Sequence, residues 1–195
     1  LSGVYAPDQD RNAPSAALRW HSNARGIDYS LVAGRFRRED VVGADIATQV
    51  GGAGVRAELT HNRGNTTQSY RRAVIALDYV FPNTLAVTGE LYYNGAGASD
   101  RASYDFPALF GGRIQSVGRR YFGGYASYDI TPLVKWTNYF VTNLSDHSTF
   151  LSPTVTVSLQ PDLDLTVGTQ LFGGSRGGEY ARFRDVHFVQ LQWFF

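Results

Sequence analysis

The stretch Leu151–Gly174, LSPTVTVSLQPDLDLTVGTQLFGG, decides the fold class. Up to Gln160, Leu151, Pro153, Val155, Val157 and Leu159 alternate strictly with Ser152, Thr154, Thr156, Ser158 and Gln160. From Leu163 the pattern resumes, with Asp164, Thr166, Gly168 and Gln170 on the polar side. A period of two places successive side chains on opposite faces of an extended strand, and Pro161–Asp162 between the windows reads as a tight turn. The stretch is a hairpin with one apolar and one polar face.

The same alternation spreads outward. It recurs in Val55–Asn62, Arg72–Phe81 and Leu85–Asn94, and more weakly in Leu1–Ala6, Pro14–Asn23, Ile27–Phe36, Val41–Val50, Arg120–Ile130, Leu133–Leu144 and Val186–Phe195. Glycine and β-branched residues are too frequent for helices. Together the windows predict an all-β chain of about twelve strands. In Arg120–Ile130 and Leu133–Leu144 both faces carry Tyr and polar residues, and the facing stays open.

The predicted connections alternate in length. Asn23–Gly26, Gly51–Gly54, Pro82–Thr84, Thr131–Pro132 and Pro161–Asp162 are tight, whereas Pro7–Ala13, Arg37–Asp40, Arg63–Ser69, Gly95–Arg119, Ser145–Phe150 and Gly173–Asp185 are mostly longer and more polar. Short turns at one end and long loops at the other are the pattern of an antiparallel up-and-down transmembrane β-barrel. A soluble sandwich or lipocalin-like barrel would also alternate. Its outer face would be rich in Lys, and Lys135 is the only lysine among 195 residues. The apolar sets instead carry Trp20, Tyr29, Tyr79, Phe81, Tyr93 and Trp193 near strand ends, as an interfacial aromatic girdle would.

Composition removes other classes. A net charge of +1 with both signs interspersed gives no basic stripe for nucleic acid. Without cysteine there is neither a disulfide framework nor a thiolate metal site. No apolar run approaches the roughly 20 residues of a spanning helix. The chain does not begin with Met and carries no secretory signal, as expected of a mature form or a piece of a longer chain.

VHFVQLQWFF (Val186–Phe195) resembles the C-terminal strand of Gram-negative outer-membrane proteins, with Val189, Leu191, Trp193 and Phe195 at every second position. That resemblance implies the cell outer membrane as location, its lipid and lipopolysaccharide as surroundings, and recognition by the barrel-assembly machinery. VVGADIATQVGGAGVRAELTH (Val41–His61), Leu151–Gly174 and the Pro132–Leu133 turn look like the C-terminal part of larger porin-like channels. The match implies a single barrel domain over 1–195, or the C-terminal portion of a larger one completed by additional strands or subunits. Leu1–Ala6, short of the ~9–11 residues of a spanning strand, is in line with the second form.

Expectations for function follow from the polar face. Arg19, Asp45, Arg56, Glu58, Arg72, Asp78 and Glu90 lie on it and are the candidates for a lumen that sets ion selectivity. Cross-strand pairing of mixed signs would make that selectivity weak, and a narrow interior could use the same pairs only to fill space. The expected activity is passive diffusion of small polar solutes, without enzyme activity, cofactor or metal. The alternatives are a barrel scaffold that encloses or contacts a partner protein, and a barrel hydrolase. For the last, Ser145–Asp146–His147–Ser148 has suitable residue types but no catalytic motif, and His21, His61, His147 and His187 have no ligand spacing. Gly95–Arg119, with Tyr104, Phe106, Pro107, Leu109 and Phe110, is too apolar to float in water and should pack as an extracellular loop, either into the barrel mouth or against lipid or a partner.

Overall fold

A computed structural model describes residues 1–7, 14–36, 39–64 and 69–195. Twelve strands form one antiparallel up-and-down sheet in chain order, with β1 and β12 at its ends. They are β1 Ser2–Ala6, β2 Ser15–Ala24, β3 Ile27–Phe36, β4 Glu39–Val50, β5 Ala53–Gly64 and β6 Tyr70–Val80. There follow β7 Ala86–Asn94, β8 Arg120–Thr131, β9 Val134–Asn143, β10 Ser148–Gln160, β11 Leu163–Gly173 and β12 Val186–Trp193. The expected loops over Pro7–Ala13, Arg37–Asp40 and Arg63–Ser69 lie largely outside the described residues. Among the described residues no helix is long and apolar enough to cross a membrane.

The chain divides into two compact units, Leu1–Leu77 with Tyr92–Ala96, and Asp78–Leu91 with Gly97–Phe195. In the first, Arg25–Gly26 and Gly51–Gly52 have positive φ and close two-residue hairpins, the geometry that matches strand twist. The register then sorts the faces. Trp20, Leu31, Ala44 and Leu59 form one row across β2–β5, and His21, Ser30, Asp45 and Glu58 form the next row on the opposite face. The apolar row is the more open one: Leu31 is 55% exposed and Leu59 52%, while Ser30 is 1% exposed. Trp20 and Tyr29 meet edge-on on the apolar side, their ring centroids 5.6 Å apart.

In the second unit Tyr128, Trp136, Val155, Val167 and Val189 form a row across β8–β12. Asp129, Lys135, Thr156, Thr166 and Gln190 form the adjoining row on the other face. This resolves the two strands whose facing the sequence leaves open. Tyr121, Tyr125 and Ser127 share the polar face with Thr137, Tyr139 and Asn143, while Phe122, Trp136 and Phe140 lie on the apolar one. Exposed large apolar side chains run along the apolar face, among them Leu151, Leu159, Val167, Val189 and Leu191.

Two connections have defined structure. Ser145–Phe150 is not a long loop, because β10 already starts at Ser148. The turn before it is tight: the Ser145 N–H donates to Asn143 Oδ1 at 2.9 Å, the Ser148 N–H donates to Asp146 Oδ1 at 2.6 Å, and His147 takes φ 61°. Gly95–Arg119 is ordered rather than irregular. It holds a short helix, α1 (Phe106–Phe110), capped by Asp105 Oδ1 accepting from the Ala108 N–H at 2.8 Å. Its Tyr104, Phe106 and Val117 form a buried apolar cluster with Ala98, Leu109 and Ile114 packed against it.

Candidate functional site

On the polar face of the first unit, Arg19, Asp45, Arg56 and Glu58 share one side of β2–β5. Arg19 and Asp45 form an ion pair at 3.3 Å across β3. Ser30 bridges them, accepting from Arg19 Nε at 2.9 Å and donating to Asp45. Glu58 stands directly opposite Asp45 and Arg56 opposite Ala47. Further along the strands, the Tyr70 hydroxyl donates to Glu39 at 2.9 Å, with the Arg72 guanidinium 5.0 Å above the Tyr70 ring. Of the remaining candidates in the second unit, Asp78 is partly buried on β6 and Glu90 exposed on β7. That unit also carries Asp129–Lys135 at 3.7 Å and a Ser158–Asp164 hydrogen bond at 2.8 Å on its polar face. Charges of both signs meeting across strands can line an aqueous path but leave little net field along it.

The C-terminal residues Val189, Leu191 and Trp193 lie on one exposed face opposite Val167, Leu165 and Leu163 of β11. Trp193 Nε1 donates to Asp162 Oδ2 at 2.9 Å, and the strand ends at Trp193, so Phe195 lies beyond the ladder.

A second cluster, not foreseen from the sequence, joins three connections at the loop end of the second unit. Asn143, at the end of β9 and fully buried, is its centre. Its Nδ2 donates to Glu179 Oε2 at 2.8 Å, to the Tyr104 hydroxyl at 3.0 Å and to Asp146 Oδ2 at 3.4 Å. Tyr121 donates to the same Glu179 oxygen at 2.7 Å and accepts from the Gly118 N–H at 2.6 Å. Asp146 Oδ2 in turn accepts from the Glu179 N–H at 2.8 Å, and Ser148 Oγ accepts from the Tyr180 N–H at 3.2 Å. Outside this core the Arg182 guanidinium lies 3.8 Å above the Phe106 ring, and Arg101 donates to Ser175 and to the Arg176 carbonyl. Segment 95–119 is thereby fastened to the 144–147 turn and to 174–185.

Electrostatics separates the two acids. Burial pushes the Asp146 carboxyl up, but the Ser148 hydroxyl and the N–H groups of Glu179 and Ser148 together outweigh it and hold the group below its ordinary value. Burial also pushes Glu179 up, and there the Tyr121 and Asn143 donors and the Val117 N–H do not compensate, with the Asp146 charge adding to the rise. Burial, reinforced by the charge on Asp146, pushes the Tyr104 hydroxyl up to about 12.

The Ser145–Ser148 segment therefore spends its polar groups on the turn and its docking. Asp146 and Ser148 bind backbone N–H groups, while His147 is exposed. Among the described residues no group of three or more His, Asp or Glu side chains is placed to hold a metal ion. The cluster escapes sequence reading because Asn143 finds Glu179 36 residues away and Tyr121 finds it 58 away. Its one local signal is the polar run Ser145–Ser148, which reads as a turn. Compared with protein-family models, with curated proteins and with solved structures, the chain matches none. The porin-like resemblance thus rests on its own segments.

Proposed function

We propose that the chain builds the wall of a transmembrane β-barrel in a Gram-negative outer membrane and serves as a passive, porin-like channel for small polar solutes. The observation that carries this reading is the pair of opposed rows in β8–β12. The row from Tyr128 through Trp136, Val155 and Val167 to Val189 is apolar, partly exposed over β8–β10 and exposed at Val167 and Val189, and the one beside it, Asp129 to Gln190, is polar. In water, half-exposed Leu and Val along a whole sheet face would be an aggregation surface; against acyl chains they are matched. The polar face, with its Thr, Ser, Gln and paired charges, suits a hydrated interior. Outer-membrane lipid and lipopolysaccharide are the corresponding surroundings, and the barrel-assembly machinery the partner during insertion.

The five residues of β1 are too few to cross the hydrocarbon region, which needs about 9–11. In a membrane barrel β1 must be paired along both edges, by β12 or by further strands, since unpaired backbone groups cost several kcal/mol each in lipid. The folded protein in a planar bilayer tests the function directly. Discrete conductance steps, with cation and anion permeabilities within a few-fold of one another, are the expected result. A folded, inserted protein that gives no steps refutes the channel and favours a scaffold around a partner.

A further inference from the structure

The buried loop cluster holds two carboxylates and, in direct contact with them, only neutral donors. Asn143 Nδ2 lies between the acids, 2.8 Å from Glu179 and 3.4 Å from Asp146. Glu179 is 6% and Asp146 4% exposed, so water screens neither effectively. The acids are unequal in what they receive. Asp146 takes two backbone N–H groups, from Ser148 and Glu179, which favour its ionised form. Glu179 takes one phenol and one carboxamide, both shared with other partners, and a single backbone N–H, that of Val117 in segment 95–119. The titratable groups bearing on Glu179 from the packed elements are Tyr121 of β8, Asp146 of the 144–147 turn, Tyr104 of 95–119 and its own neighbour Tyr180. Each is neutral or negative near neutral pH.

We propose that Glu179 is a proton-operated latch for segment 95–119: its neutral carboxyl lets the three connections dock around Asn143, and its ionisation releases them. The proton lost from Glu179 goes to bulk water. The resulting charge faces Asp146 across one amide, and the pair is relieved by moving 174–185 away from the turn. Tyr121 and the Gly118 N–H are tied to the same oxygen network, so 95–119 loses its anchor in the same step. Gly118 makes the coupling tight, because a Cβ there would collide with Asn143 Nδ2 and the Tyr121 hydroxyl. The latch is independent of what the polar face conducts.

The sign follows from linkage. A carboxyl raised in the docked state stabilises docking fully below its undocked value, and that contribution is lost as pH rises through the docked value. Amide hydrogen exchange of peptides from 95–119, in the detergent-folded protein and corrected for intrinsic rates, reads the docking equilibrium. Between pH 4.5 and 8, wild-type protection should fall about tenfold for each pH unit spanned between the undocked and docked values, then level off. Peptides from β10 and β11 should not change. Glu179→Gln can keep the hydrogen bonds accepted from Tyr121 and Asn143 through its carbonyl oxygen and should show a flat profile. Tyr121→Phe removes a donor to the ionised form and should carry the slope to higher pH, which keeps the test available if Glu179→Gln does not fold. A flat wild-type profile overturns the latch. So does a slope that survives in folded Glu179→Gln.

Discussion

Replacing Val167 by Arg tests the assignment of the faces most sharply. Val167 lies between Val155 and Val189 on the apolar row, 49% exposed, with six residues of β11 on its C-terminal side and four on its N-terminal side. If that row meets hydrocarbon, an Arg near mid-depth costs roughly 2–4 kcal/mol. At about 1.4 kcal/mol per decade this lowers the folding equilibrium constant by roughly 30- to 700-fold. On a half-exposed strand position in water the same change would stay within about 1 kcal/mol. The control is the adjacent Thr166→Arg, on the other face. It loses the Thr156–Thr166 hydroxyl contact at 3.0 Å, worth about 1 kcal/mol, and should otherwise be tolerated beside water. Urea unfolding from lipid vesicles, followed by the fluorescence of Trp20, Trp136 and Trp193, gives both numbers. A neutral Val167→Arg, or a Thr166→Arg that is the more damaging of the two, would refute the facing. A one-residue slip in register exchanges every inward side chain for an outward one.

Asn143→Leu keeps the branching and heavy-atom count of a fully buried side chain, though it is bulkier, and strands the partners of its amide, at about 1–3 kcal/mol for each group left unsatisfied. Tryptic cleavage after Arg101, Arg113 and Arg119 should accelerate at least about tenfold while the strands stay intact. In acid the Asp146 contribution runs opposite to that of Glu179: present above the ordinary carboxylate value of 3.8, it is lost as pH falls through the lowered docked value, so exchange protection of 144–147 should decline there. Asp45→Asn removes a half-exposed ion pair and should shift folding stability by less than about 1 kcal/mol. In the bilayer it should move reversal potentials slightly toward anions. Cysteines at Val4 and Val189 report on whether β1 meets β12, and little monomeric cross-link is expected given the shortness of β1; an efficient one would sink the larger-barrel reading.

Alternation in Leu151–Gly174 predicts β10 and β11 with their faces, because from Leu151 to Gln160 each polar position is Ser, Thr or Gln and each apolar one aliphatic or Pro, and from Leu163 the pattern holds as far as Gly168. In β8 and β9 the same logic fails for a physical reason. Tyr121, Tyr125, Tyr128 and Tyr139 are amphipathic and suit either environment, so only the pairing of Asp129 with Lys135 and of Val155 with Trp136 fixes the register. The pairing of Arg19 with Asp45 was half legible. Both lie on polar positions, but the intervening Ser30 that joins them becomes visible only when three strands are aligned. The loop cluster was illegible because burial, rather than residue type, is what makes Asn143 and Glu179 consequential. In sequence Asn143 reads as one polar residue of the Leu133–Leu144 strand and Glu179 as one of the Gly173–Asp185 loop.

Pro153 sits near the middle of β10, where the ladder to β11 pairs Leu151 with Leu171 and resumes at Thr154 with Gly168. Proline has no N–H to offer a neighbouring strand. Across β9 its register partner is Asn138, whose Oδ1 is buried without a hydrogen-bond partner, and a cavity of about 480 Å³ opens beside it between Trp136 and His187. Mechanically this is a zipper with one tooth missing. A force applied to Phe195 should peel β12 from β11 smoothly, one pair after another. The same force on the β10–β11 seam should meet two successive resistances, with a slack of a few residues between them.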